Sequence, residues 1–131
     1  MKKIGIINQP ISAVIASLGH TDTVVVADAG LPIPAGPERI DLALSAGLPT
    51  FLDTLRVVLT EMQVERAIVA DEMLAVSPAV YQAVKALLGN TPIDTMPHQT
   101  CKEQTRSARA VIRTGEFTPY ANIILVAGVV F

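Results

Sequence analysis

The sequence predicts an α/β fold: a single three-layer domain, residues 1–131, with a mainly parallel central sheet and helices on both faces. Three observations carry this. Short β-branched apolar runs alternate with amphipathic stretches at helical spacing, and Gly- or Pro-rich corners separate the two. The first helix is expected from about Pro10 to Leu18, with Pro10 in the first turn, Ile11, Val14, Ile15 and Leu18 on one face, and Gly19 as the stop. Thr23 to Asp28 (TVVVAD) reads as a strand buried on both faces. The stretch from Ala29 to Pro37 carries too many Gly and Pro for regular structure, so it is expected as an ordered loop at that strand's carboxyl end.

A second helix is expected from about Thr50 to Met62, capped by Thr50 with Asp53, with Phe51, Leu52, Leu55, Val58, Leu59 and Met62 on its apolar face. Arg66 to Ala70 is the next strand. Ser77 and Pro78 form an N-cap and N1 pair for a helix that Gly89-Asn90 ends. Ile93 to Met96 is a short strand, His98 to Arg106 a short surface helix, and Arg109 to Arg113 and Asn122 to Val126 are the last strands. Gln63, Glu65, Asp71 and Glu72 read as solvated helix ends and loop charges, and Arg113 with Glu116 as a pair across a turn.

The 131 residues hold 10 Lys+Arg against 12 Asp+Glu, and the cations are scattered, which argues against a nucleic-acid partner because phosphate binding needs a basic stripe. A membrane is not expected either. The apolar run from Ile123 to Phe131 is far shorter than the roughly 20 residues a spanning helix needs. Lys2 and Lys3 look like the start of a signal peptide, but Asn8, Gln9 and Pro10 cut the apolar stretch short, so the chain is expected to stay in the cytoplasm. The lone Cys101 fits a reducing compartment. Mean hydropathy of +0.46 is high for a small soluble monomer and points to apolar surface shared with other subunits.

No G-x-G pair and no G-x-x-x-x-G-K loop is present, which disfavours nucleotide cofactors. The two histidines and one cysteine lack zinc spacing, so no metal is expected. His98 and Cys101, three apart, are one nucleophile-and-base arrangement; a structural cysteine is the other reading. His20 follows a helix stop, where it either faces the helix dipole or transfers protons near neutral pH. Asp28 either caps its Asp-Ala-Gly corner or binds a ligand, and His98 is a loop or capping residue or a contact. Tyr120 and Asn122 flank Ala121 before an apolar strand. If that segment is already extended, both side chains point the same way and suit a hydroxyl-rich ligand; otherwise they form a plain strand-entry turn.

Several blocks together resemble the RbsD/FucU family: Leu18–Thr23 (LGHTDT), Ala27–Pro34 (ADAGLPIP), Arg39–Asp41 (RID), Glu61–Glu65 (EMQVE), Val111–Asn122 (VIRTGEFTPYAN) and Ala127–Phe131 (AGVVF). The resemblance implies a cofactor-free isomerase that interconverts the pyranose and furanose forms of D-ribose, supplying furanose to ribokinase. It puts the proton-donating histidine at His20 and the sugar contacts at Asp28, His98, Tyr120, Ala121 and Asn122. It further implies a cytoplasmic homodecamer of two stacked pentameric rings, with sites near subunit interfaces. Gln99 and Cys101 depart from the acidic and aromatic residues common there in the family. The alternatives are an L-fucose mutarotase within the family and a non-catalytic sugar-binding subunit outside its chemistry.

Overall fold

A computed structural model describes residues 1–131. Six strands form one sheet: β1 (Thr23–Ala27), β2 (Glu38–Asp41), β3 (Val64–Ala70), β4 (Ile93–Met96), β5 (Ala110–Arg113) and β6 (Ile123–Ala127), in spatial order β2-β5-β1-β6-β3-β4. The β1–β5, β2–β5 and β3–β4 pairs are parallel, and β6 runs antiparallel to both β1 and β3. Five strands therefore point one way and a central one points back.

Side chains alternate across this sheet with period two. Val24, Val26, Val69, Ile112, Ile123 and Leu125 face α1 (Gln9–Ser17), α2 (Phe51–Val58), α3 (Asp71–Val76) and α4 (Pro78–Leu88), which contribute Ile11, Val14, Phe51, Leu55, Met73 and Val84 to the larger core. Val25, Ile68, Val111, Ile124 and Val126 face the other way, where α5 (His98–Gln104) supplies Cys101 and the Gly/Pro-rich loop supplies Leu31. Helices thus cover both faces, four on one and a single short one on the other. No helix is long and apolar enough to cross a membrane.

Most expected elements are present, with instructive departures. Helix α2 starts where Thr50 Oγ1 accepts the Asp53 N–H at 3.1 Å, but regular helix stops at Val58, four residues early. The chain then tightens, with Thr60 N–H bonded to Val57 O and Glu61 N–H to Val58 O, while Met62 stays buried as its spacing implied. Strand β2 escaped the sequence reading because three of its four residues are charged, as suits an edge strand exposed everywhere but Ile40. Helix α3 occupies residues read as loop, so Asp71 and Glu72 lie in a helix's first turn. Arg113 does not pair with Glu116. It donates to both carboxylate oxygens of Asp41 at 3.1 and 3.0 Å and to Ala29 O at 3.0 Å, tying β5 to β2.

Candidate active site

The reversal of β6 determines what meets what. Residues leading into β6 lie beside the carboxyl ends of β1 and β3, with β4 next beyond β3, which brings Tyr120, Ala121 and Asn122 to Asp28 and His98. Crevices at such strand ends are where α/β sheets bind ligands.

Asp28 and Asn122 hold each other twice. The Asp28 N–H donates to Asn122 Oδ1 at 2.9 Å, and Asn122 Nδ2 donates to Asp28 Oδ2 at 2.8 Å. The other carboxylate oxygen accepts the Gly30 N–H at 2.9 Å, which is the Asx-turn expected at this corner. Asn122 is buried and Asp28 half-buried, so this pair forms the floor of the site.

Tyr120 stands over His98 edge to face, with centroids 5.1 Å apart and planes at 82°. Its backbone is left-handed, φ 62°, so the extended alternation that would have pointed Tyr120 and Asn122 the same way does not occur. Instead a tight turn, with the Asn122 N–H on Tyr120 O at 2.8 Å, sends Tyr120 to His98 and Asn122 to Asp28, with Ala121 fully buried between them. The loop is anchored from below. Ser77, expected as a helix cap, gives its hydroxyl to Pro119 O at 2.7 Å, and a Cβ on Gly115 would stand 2.4 Å from Ser45 O.

His98 opens α5, and its backbone N–H donates to Glu72 Oε2 at 2.9 Å. Its Nδ1 is buried without a partner, an uncompensated polar atom in a ring that forms one wall of the cluster. Cys101 is no nucleophile for it. Burial first, then the carboxylates of Glu72 and Asp71, push the thiol up to about 11, and Sγ turns toward Met96 O at 4.0 Å. Beside Asp28 a cleft of about 400 Å³, bordered by Gly30, Arg113, Glu116, Phe117 and Pro119, has room for a small polar ligand.

Glu116 organises the same loop. Burial raises its carboxyl, but hydrogen bonds from Thr118, Phe51 and Phe117 outweigh this and hold it below the ordinary 4.5.

His20 lies elsewhere. It precedes β1 whereas Asp28 follows it, and five residues at about 3.3 Å each separate the two ends by roughly 16 Å. Within one chain the sheet therefore brings Asp28, His98, Tyr120 and Asn122 together and leaves His20 out. At that end His20 Nε2 lies 2.8 Å from Glu65 Oε2. Thus Glu65 and Glu72, read from sequence as plain solvated charges, are partners of the two histidines. A signal for Glu65 was available: two adjacent charged residues, Glu65 and Arg66, interrupt a strand that alternation would keep half apolar.

Residues 1–130 match the model of the RbsD / FucU transport protein family. A relative from Laribacter hongkongensis named D-ribose pyranase is 59% identical over all of both chains. The solved structure of Bacillus subtilis RbsD complexed with D-ribose superposes with a TM-score of 0.97 at 50% identity over the full length of each chain. FucU from Bifidobacterium longum superposes at 0.81 with 25% identity, over 95% of this chain and 97% of that one. On the match across nearly every residue and on this fold, the chain belongs to the RbsD/FucU family.

Proposed function

We propose that this protein is an isomerase that interconverts the pyranose and furanose forms of D-ribose by acid- and base-assisted ring opening. The observation that carries the reading is the end-to-end likeness, at 50% identity, to a protein whose structure holds D-ribose, against 25% for the FucU relative. The site chemistry supports it. Opening the ring takes a proton from the anomeric hydroxyl and delivers one to the ring oxygen as the bond between that oxygen and the anomeric carbon breaks. A different hydroxyl then attacks the freed aldehyde. Proton transfers and a bond rotation suffice, so the reaction as proposed calls on no cofactor and no metal. One placed acid or base supplies about 10² to 10⁴ in rate, enough for a reaction that already runs unaided in water.

In this reading His20 is the acid for the ring oxygen. Asp28 accepts a sugar hydroxyl, Asn122 and the Ala121 backbone hold its neighbours, and Tyr120 with His98 forms the wall. Because His20 and the other five stand at opposite ends of the sheet, His20 reaches a sugar held by those five only from a second copy of the chain. The exposed apolar residues Ile4, Ile7, Leu44, Val57, Phe117, Val130 and Phe131 are the surface on which such copies would meet. We take that assembly to be two stacked pentameric rings in the cytoplasm, passing furanose to a kinase.

Saturation transfer between the pyranose and furanose C1 resonances of ribose tests the activity: the protein should speed exchange, and an unchanged rate refutes it. His20→Ala and Asn122→Ala, each impaired alone, should regain activity when mixed under subunit exchange, because some pockets then receive an intact residue from each copy. A mixture no better than its parts refutes the shared pocket.

A further inference from the structure

We infer that Glu65 is the positioning residue for His20: it holds the imidazole at Nε2, so that Nδ1 is the nitrogen that exchanges a proton with the sugar. The inference rests on the role proposed for His20 above and deepens it. An ionised carboxylate only accepts hydrogen bonds, so at 2.8 Å the neutral ring must carry its proton on Nε2 and leave the Nδ1 lone pair free. When the ring takes a second proton, that proton sits on Nδ1, aimed away from Glu65. Acid and base roles then fall on one fixed atom, the arrangement by which a carboxylate orients a catalytic histidine elsewhere.

Independent features of the fold converge on this pair. The β3–β6 register shifts between Val64 and Arg66, so Glu65 is the bulged residue, and bulges re-aim side chains. Opposite it stands Gly128, where a Cβ would lie 3.0 Å from Glu65 Cβ and 3.3 Å from its backbone nitrogen, so glycine gives the close approach at the end of β6 without crowding Glu65. On the His20 side, Thr21 is left-handed at φ 70°, a costly conformation for a β-branched residue, and is pinned there by its N–H on Ala127 O at 2.9 Å. The neighbouring carboxylate is occupied, since Asp22 Oδ2 accepts the Gly19 N–H at 2.9 Å. Both partners are substantially exposed, 55% for the His20 side chain and 40% for Glu65, and an ion pair so open adds little to stability. A bulge, a closely packed glycine and a strained threonine are thus directed at a contact that folding hardly needs.

The test uses full-length protein labelled with 15N-histidine, in which two histidines give two sets of ring signals. Wild type should show His20 as the Nε2–H tautomer. Glu65→Ala should mix the tautomers and lower kcat about 10- to 100-fold with KM little changed, a share of what one acid–base group supplies. Glu65→Gln keeps an acceptor oxygen and should restore the tautomer and part of kcat. A wild-type ring spectrum and full kcat in Glu65→Ala, with His20→Ala inactive, overturns the inference alone. Full activity in His20→Ala overturns the role of His20 and this inference with it.

Discussion

At the carboxyl end of β1, Asp28 is held at both carboxylate oxygens and at its backbone N–H, whereas at the amino end His20 touches one carboxylate and otherwise faces outward. Both ends carry strain of one kind: Thr21 and Tyr120 are the two non-glycine residues of the chain with positive φ, one beside each proposed half-site. What differs is burial. The carboxyl end is a preorganised polar floor with aromatic walls, suited to fixing hydroxyls, while the amino end presents a single aimed imidazole. Under the roles proposed above, holding a sugar and moving its proton are separable in this chain.

The largest effect should come from cutting at each end in turn. His20→Ala should lower the ring-exchange rate about 10²- to 10⁴-fold while ribose binding survives, the loss expected of a single acid–base group. Asn122→Ala should weaken binding instead and destabilise the fold by about 1–3 kcal/mol, because the Asp28 N–H and carboxylate lose partners. Saturation transfer with calorimetric titration of ribose and thermal melts distinguishes these, and equal effects of both variants on binding and rate would erase the contrast.

An intermediate effect concerns acid. The Glu116 carboxyl is held below its ordinary value in the folded chain, so its stabilisation is complete above the unfolded pKa near 4.5 and is lost as pH falls through the lower folded one. Urea melts from pH 6 down to pH 3 should therefore show a flatter decline for Glu116→Gln than for wild type; parallel curves would remove Glu116 from the anchoring of the closed end. The smallest effect is expected from Thr21→Gly. Relief of left-handed strain and the added freedom of the unfolded chain nearly cancel, leaving stability within about 1 kcal/mol. The exchange rate should nevertheless drop severalfold as His20 loses its fixed approach, and an unchanged rate would make the Thr21 geometry incidental to function.

What the sequence disclosed depended on the reach of each interaction. The TVVVA run, the Thr50 cap and the Ser77-Pro78 start are local, and a propensity or a spacing reports them. Strand β2 is decided by its neighbour β5, seventy residues on, and its own charges conceal it. Glu65 and Glu72 looked solvated because their partners, His20 and the His98 backbone, lie 45 and 26 residues away. Family resemblance supplied the five side chains expected at the site, and the strand read from Thr23 to Asp28 already set His20 and Asp28 at its opposite ends. What the sequence does not print is the direction of β6, which decides that Tyr120 and Asn122 join Asp28 and not His20.

Strand β6 has one more consequence. Its first residues continue from Tyr120 and Asn122, and its last, with Gly128, bond to Thr21 and to Gln63 beside Glu65. Paired on both sides and buried along its whole length, it acts as a rigid spacer of roughly 16 Å between the proposed half-sites. A slip of one residue along β6 would displace the Asp28–Asn122 pair and the His20–Glu65 pair in the same stroke, so both are tuned by a single buried apolar segment.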